Sequence, residues 1–259
     1  MQPELFKLHA QVEETHWWFT ARRQIMCQML HQALPPDPDR VVVDVGCGTG
    51  ANIAALAQDY NCVGIDTTPD AILYARERFG GVSFIEGQAP KDLGPVFRRM
   101  DAVLLMDVLE HVEDDRGLLG AQVKAMKPGG IVLITVPADM KLWSEHDVSF
   151  GHYRRYDLEM LRAIWHDLPL DELMCSYFNS RLYPIIRMIR ALNRLRGRAW
   201  GQAGSDLSLP SRPVNRMLER IFAGESYRLL NMLESSTGRK GNPYGYGVSL
   251  IALLRKNED

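Results

Sequence analysis

The chain has 259 residues, of which 46% are hydrophobic and 24% charged, as expected for a globular protein with one large core and a smaller appended part. No stretch approaches the ~20 apolar residues of a membrane span, and the N-terminus lacks the apolar run of a signal peptide. The four cysteines are scattered without metal or disulfide spacing, so we expect reduced thiols in the cytoplasm. From the composition we therefore expect neither a membrane-spanning nor a disulfide-stabilised secreted protein.

The net charge of −2 conceals a strong asymmetry along the chain. Residues 1–178 carry 16 basic and 26 acidic side chains, whereas residues 179–259 carry 14 and 6. A basic C-terminal part indicates contact with an anionic partner or surface. We expect no nucleic-acid partner, because the net charge is slightly negative and no aromatic stacking platform is visible.

The first predicted helix covers residues 11–34 and ends at a Pro-Pro pair. Its H-W-W-F cluster indicates either packing on the main domain or a lid over the substrate. In the lid interpretation, Trp18 would contact substrate and Arg22 would meet an anionic group. We expect residues 1–39 to form an N-terminal helical lid.

A strand followed by a glycine turn is the most informative stretch of the sequence, V-V-V-D-V-G-C-G-T-G at residues 41–50. Four valines around Asp44 predict a buried strand, and the alternating glycines predict a turn into a helix over residues 51–59. Such a turn lets a ligand approach bare backbone and a helix N-terminus. A carboxylate at the strand end suits a cationic amino-acid ligand better than an anion.

A second carboxylate, Asp66, ends the next predicted strand, where it can bind both hydroxyls of a ribose. Together with Asp44 and the glycine turn, it makes residues 40–173 resemble the class I S-adenosylmethionine-dependent methyltransferases. The resemblance implies an α/β fold with a Rossmann-like, doubly wound, mostly parallel seven-stranded sheet. It also implies S-adenosyl-L-methionine as the cofactor.

The resemblance further implies which residues bind the cofactor. The turn after the third strand would approach the adenine, and the segment after the fourth strand would lie beside the cofactor. In that segment His111 is expected to be structural. The predicted cofactor-binding residues are Asp44, Gly46, Cys47, Gly48, Gly50, Asn52, Asp66, Thr67, Gln88, Ala89, Asp107 and Val108.

The remaining predicted elements follow the same alternating order. A helix capped by Thr68 covers residues 69–79, and another covers residues 157–167. The later predicted strands cover residues 82–86, 101–106, 131–136, 170–178 and 247–254.

Residues 137–156 leave the fifth strand at the ligand edge and are too many for an ordinary connection. Their H-D-x-x-x-G-H-x-R-R-Y run is similar to one in bacterial methyltransferases encoded with glycan and lipid-sugar enzymes. We therefore expect this loop to hold the methyl acceptor. The predicted substrate-binding residues are Trp18, Arg22, Trp143, Tyr153, Arg154, Arg155 and Tyr156.

A hydroxyl acceptor with a pKa far above 7 needs a general base. His152 is the first candidate, followed by His146 and then Asp147. The spacing of these three residues fits no standard metal site, so no metal is predicted.

Almost seventy residues separate the sixth strand from the last one. We expect residues 179–241 to form a helical basic insertion, and residues 40–178 and 242–259 to form the cofactor-binding domain. Residues 181–198 hold six arginines and no acid, with apolar residues close to one helical face. This helix either packs on the sheet with solvated arginines, or meets an anionic membrane or a lipid-linked substrate.

The sequence therefore predicts O-methylation of a small-molecule or glycan- or lipid-linked acceptor, in the cytoplasm or at the inner face of the membrane. One alternative is an NAD(P)-linked oxidoreductase, although its fingerprint would require glycine at Ala51. Another is a non-catalytic cofactor-binding protein, against which the intact glycine turn and the polar 143–156 loop argue.

Overall fold

A computed structural model describes residues 10–196, 208–234 and 243–258 of the chain and contains a seven-stranded sheet. The strands are β1 (Val41–Val45), β2 (Asn61–Asp66), β3 (Ser83–Glu86), β4 (Met100–Met106), β5 (Ile131–Pro137), β6 (Leu170–Phe178) and β7 (Ser249–Lys256). Their order is β3-β2-β1-β4-β5-β7-β6. All pairs are parallel except those of β7, which runs antiparallel to β5 and β6. The predicted doubly wound α/β fold is confirmed.

Helices cover both faces of this sheet. They are α1 (Trp17–Ala33), α2 (Ala51–Ala54), α3 (Pro69–Arg78), α4 (Asp115–Ala125), α5 (Glu145–Ser149), α6 (Leu158–Ala163), α7 (Tyr183–Arg196), α8 (Arg212–Ala223) and α9 (Ser226–Glu234). Short 3-10 segments lie at Lys91–Arg99, Leu109–His111 and Met140–Leu142. No helix among the described residues is long and apolar enough to cross a membrane.

Strand periodicity divides the core into two apolar layers. Val42 points into the layer that contains α1, α2, α3, α8 and α9, whereas Val43 points into the layer with α4 and α6. Both faces of the parallel strands are buried, which explains why the strands read as continuous apolar runs.

Helix α1 packs into the first of these layers. Ile25 and Met29 are fully buried there, and the amide of Trp17 donates to Asn215 Oδ1 of α8 at 2.9 Å. The N-terminal helix and the helices after β6 therefore stabilise each other on one face of the sheet.

Three predicted helices are shorter than expected, and one of them, predicted over residues 157–167, is limited to α6 (Leu158–Ala163). The predicted helix over residues 11–34 is interrupted, and α1 begins only at Trp17, because His16 Nδ1 caps the amide of Trp18 at 3.3 Å. The predicted helix over residues 51–59 gives way to turns after α2. Residues 197–207 and 235–241 of the predicted helical basic insertion lie outside the described residues.

Candidate functional site

The three glycines after β1 have different surroundings. All have positive φ: +71° at Gly46, +54° at Gly48 and +90° at Gly50. A Cβ on Gly46 would lie 2.8 Å from Val108 Cγ2, and one on Gly50 would lie 2.8 Å from Phe84 Cζ. A Cβ on Gly48 would have no neighbour within 4 Å. The outer glycines therefore allow packing, while the middle one leaves backbone open to a ligand.

Asp44 carries a buried carboxyl group at the end of the sheet that faces the glycine turn. It is 1% exposed, and neither carboxylate oxygen accepts a hydrogen bond within the described part of the chain. Burial raises the pKa of Asp44 to about 8, against the opposing effect of the nearby Arg22 cation. An unsatisfied buried carboxylate destabilises the fold. The position is thus suited to a cationic ligand group.

Asp66 fixes the glycine turn and keeps capacity for a ligand. Its Oδ2 accepts from the amide of Gly48 at 2.9 Å, and its Oδ1 accepts from the amide of Thr68 at 2.8 Å. Each oxygen retains a second lone pair, as the predicted contact with ribose hydroxyls requires.

The turn after β3 contains an acid that sequence reasoning missed. The amide of Gln88 donates to Asp92 Oδ2 at 2.8 Å, so Asp92 reaches back over the predicted adenine site. Gln88 is exposed, whereas Ala89 is buried with its carbonyl bonded by Gln122 Nε2 at 3.1 Å. The sequence signal for this contact is that Asp92 follows Gln88 by four residues.

The other predicted cofactor residues line the same edge of the sheet. Cys47 is buried, Asn52 is half-buried and Thr67 is exposed. The Thr49 hydroxyl donates to Glu13 Oε1 at 2.6 Å, a contact for which the sequence carries no signal. The glycine turn is thereby tied to the segment before α1.

Arg22 lies on the cofactor side of the site rather than at the predicted acceptor loop. Its guanidinium forms an ion pair with Asp107 and stacks over the Trp18 ring at 4.5 Å. Asp107 has a positive φ of 58° and accepts from Thr135 Oγ1 at 3.1 Å. Because α1 packs flat on the sheet, Arg22 reaches over the carboxyl ends of β1 and β4. Burial lowers the pKa of Arg22 to about 10, so it stays charged at neutral pH.

Asp147, a predicted general base, is instead a structural counter-ion. It is fully buried and accepts from Arg155 Nε at 2.7 Å and Nη2 at 3.1 Å. His152 Nδ1 lies 3.0 Å from its Oδ1. Burial alone would raise the pKa of Asp147, but the hydrogen bonds from His152 and Arg155 hold it well below its usual range. A carboxylate so engaged is a weak base.

Three predicted substrate-binding residues use their polar groups inside the protein. Arg155 is committed to Asp147 and to the carbonyl of Ala138. Arg154 Nη1 and the Tyr156 hydroxyl both donate to Asp115, at 2.7 and 2.8 Å. These contacts close the loop onto α4, so the arginines are not free to bind an anionic substrate.

Other predicted acceptor residues remain accessible. Tyr153 is 59% exposed, and Trp143 is half-buried. A groove of about 360 Å³ runs beside this loop, where Lys141, Tyr183 and Tyr246 line it. A second groove, of about 530 Å³, continues from the same two tyrosines along α7.

Histidines gather where the acceptor loop meets the end of β4. The rings of His111 and His152 have centroids 4.7 Å apart, and His146 lies 6.2 Å from His152. The amide of Tyr153 donates to the Glu110 carbonyl at 2.8 Å, which holds the loop against that segment. Burial lowers the pKa of His146 to about 3, which makes this second candidate a poor base at neutral pH.

Comparison with known proteins identifies the family. A family model described as a methyltransferase domain matches residues 18–182. The trans-aconitate 2-methyltransferase of Rhodopseudomonas palustris (strain BisB18) is 29% identical over 142 residues, covering 52% of this chain and 55% of that protein. The ubiquinone biosynthesis O-methyltransferase of Erwinia tasmaniensis is 31% identical over 133 residues, covering 49% and 53%. The chain thus spans about half the length of these curated relatives.

Solved structures share the fold. A plantazolicin methyltransferase in complex with a triazolic desmethylPZN analogue and S-adenosylhomocysteine has a TM-score of 0.57 at 15% identity, covering 98% of this chain and 90% of that one. Phosphoethanolamine N-methyltransferase 2 of Haemonchus contortus with S-adenosyl-L-methionine has a TM-score of 0.53 at 17% identity, covering 90% and 52%.

The protein belongs to the class I S-adenosylmethionine-dependent methyltransferases, as the family match and the strand order together show. The predicted cofactor, S-adenosyl-L-methionine, is the cofactor of that family.

Proposed function

We propose that the protein transfers the methyl group of S-adenosyl-L-methionine to an oxygen of a small-molecule or glycan- or lipid-linked acceptor. The observation that carries this proposal is the pairing of an unsatisfied buried carboxylate, Asp44, with the open backbone of Gly48. In its ionised form, that carboxyl group would bind a cationic amino group and repel an anionic dinucleotide phosphate. The NAD(P)-linked alternative is therefore disfavoured.

The remaining groups are placed to bind the other parts of the cofactor. Asp44 would bind the amino group, and Asp66 the ribose hydroxyls. Gln88 and Ala89 would border the adenine. Arg22, which is close enough to Asp44 for the two charges to influence each other, would bind the carboxylate beside that amino group.

Methyl transfer needs the donor carbon and acceptor oxygen in line. Holding them at ~3–3.5 Å can remove several kcal/mol from the barrier. The sulfonium becomes neutral during transfer, so the carboxylates should face the amino and ribose groups rather than sulfur. The acceptor hydroxyl would be activated at His152, the candidate base whose imidazole is oriented by Asp147.

Exchanging Gly48 for alanine should abolish methyl transfer by displacing the cofactor. The added methyl group meets no protein atom within 4 Å, so the fold should tolerate it apart from the strain of its φ. Gly129→Ala is the matched control, because Gly129 has a φ of +73° and equally open surroundings at a distant turn. The assay is transfer of labelled methyl from S-adenosyl-L-methionine to pools of sugars, quinols, organic acids and extracted lipids.

A wild-type protein that binds S-adenosylhomocysteine but labels none of these pools would contradict oxygen methylation of such acceptors. Equal cofactor affinity in Gly48→Ala and Gly129→Ala would contradict the assigned cofactor position.

The exposed surface of helix α7 supports the proposal that the acceptor is presented at a membrane. Ile185, Met188 and Leu192 are 50%, 55% and 42% exposed at helical spacing, beside arginines such as Arg187. An exposed apolar stripe flanked by arginines is typical of helices that lie on anionic bilayers. Each arginine near such a surface contributes about 1 kcal/mol. We infer reversible contact between α7 and an anionic membrane.

Wild-type protein should sediment with phosphatidylglycerol-rich vesicles and not with vesicles of phosphatidylcholine alone. The double variant Ile185→Ser/Leu192→Ser should lose most of this binding, since both side chains are already exposed and their removal leaves the core intact. Leu73→Ser, at a 57% exposed position on α3, is the control. Undiminished sedimentation of the double variant would show that α7 is an ordinary solvated helix.

A further inference from the structure

We propose that Glu110, His111 and His152 form a binding site for a divalent transition-metal ion beside the cofactor pocket. One ligand atom from each residue lies within 4.8 Å of the others. Metal bonds from these atoms are about 2.0–2.2 Å long, so a modest contraction of the cluster would close around an ion. Of the three residues whose spacing was weighed for a metal in the sequence, only His152 belongs to this cluster.

Glu110 is the residue that requires a ligand. It is fully buried, and neither of its carboxylate oxygens has a hydrogen-bond partner among the described residues. The two nearby arginines form ion pairs with other carboxylates rather than with Glu110: Arg22 pairs with Asp107, and Arg155 pairs with Asp147. A buried ionised carboxylate without a partner is strongly disfavoured, and either protonation or a bound cation relieves it.

Both histidines are oriented as metal ligands usually are. His152 Nδ1 is hydrogen-bonded to Asp147 at 3.0 Å, which leaves Nε2 to offer a lone pair. His111 is hydrogen-bonded to the backbone of Phe150. A carboxylate or carbonyl that holds one ring nitrogen of each imidazole is the usual outer shell of a protein metal site. Asp147 therefore acts through His152.

Two imidazoles and one carboxylate suit Zn²⁺, Co²⁺ or Fe²⁺ better than Mg²⁺ or Ca²⁺. Three protein ligands leave a coordination position open for an acceptor oxygen. This role rests on the proposed function and replaces one part of it, because the His152 imidazole would bind the ion and would not accept the proton of the acceptor. The metal-bound hydroxyl would release its proton to water, and the resulting oxygen anion would attack the methyl carbon. The new carbon–oxygen bond forms as the carbon–sulfur bond breaks and its electron pair passes to sulfur.

Cobalt(II) titration of the full chain, after treatment with EDTA, tests the site. We expect one Co²⁺ per chain, with visible absorption typical of nitrogen-coordinated cobalt of low coordination number. Glu110→Gln should weaken this binding at least tenfold, as should His111→Gln, and thermal unfolding of the wild type and both variants checks that each chain is folded. His166→Gln is the control, since that side chain is 82% exposed and distant from the cluster.

Absence of stoichiometric cobalt binding, or equal affinity in Glu110→Gln and His166→Gln, would overturn the site. A parallel titration with S-adenosylhomocysteine separates the two proposals. Cofactor binding without cobalt binding would reject the metal site and leave the proposed methyl transfer standing. Cobalt binding without cofactor binding would reject the proposed methyl transfer and leave the metal site standing.

Discussion

Replacing Asp44 by asparagine should weaken S-adenosylhomocysteine binding on the order of 100-fold and, at neutral pH, make the protein more stable. The loss in affinity follows because the ammonium group of the cofactor loses its buried counter-ion, which typically costs about 2–5 kcal/mol. The gain in stability follows because the carboxylate is buried without a partner among the residues that the structure describes. Opposite signs in the two measurements would mark Asp44 as a binding residue kept at the expense of stability.

The pH dependence of the same variant has a definite sign. The pKa of Asp44 is raised from 3.8 to about 8 by burial, so folding retains a proton that the unfolded chain releases. This carboxyl therefore lowers stability progressively from about pH 4 to pH 8, by a few kcal/mol at pH 7. Cofactor affinity of the wild type should rise over pH 6–8, because the ammonium group binds the ionised form.

Calorimetric titration with S-adenosylhomocysteine at pH 6 and pH 8, together with thermal unfolding, measures both effects. Asp101→Asn is the matched control at the opposite end of β1, where Asp101 accepts from the amide of Val41 at 2.8 Å. It should lower stability and leave cofactor affinity unchanged. Equal affinity of Asp44→Asn and wild type at both pH values would refute the assigned role.

Asp147→Asn should lower the free energy of unfolding by about 3–5 kcal/mol, because it leaves a buried guanidinium without a counter-charge. Arg155 is 3% exposed, and the two residues are joined by two hydrogen bonds. Since the pKa of Asp147 is lowered in the folded state, its contribution is present above the unfolded value of 3.8 and is lost as the pH falls below it.

Urea denaturation of both forms at neutral pH measures the loss from the shift of the midpoint at constant slope. Asp167→Asn is the control. It removes the ion pair between Asp167 and Arg116, which are 61% and 51% exposed, and it should leave the urea midpoint unchanged. A similarly unchanged midpoint for Asp147→Asn would return Asp147 to the candidate bases.

The sheet could be predicted from sequence because its signals are local. Each apolar run, the glycine turn and the carboxylates near the ends of β1 and β2 can be recognised from a few consecutive residues. Each strand begins and ends within two residues of its predicted bounds. The fold class and the cofactor follow from that pattern.

The roles of individual polar residues could not be read in the same way, because they depend on distant packing. Arg22 meets Asp107 because α1 packs on one face of the sheet, although the two residues are far apart in the sequence. Asp147 and Arg155 pair across a chain reversal at Gly151, whose φ is +72°, and sequence spacing gives no sign of it. Glu110 has no distinguishing sequence context, and its lack of a hydrogen-bond partner in the described part of the chain emerges only from its burial.

The position of β7 also orders the assembly of the molecule in time. This strand follows all the others in the sequence, yet it lies between β5 and β6. Until it has been synthesised, β5 has an unpaired edge and β6 has no neighbour in the sheet. Strands β1 to β5 can pair on a growing chain, whereas β6 can join the sheet only after β7 has been synthesised. A nascent chain therefore presents an open strand edge, the feature through which sheets aggregate, until its final strand is inserted.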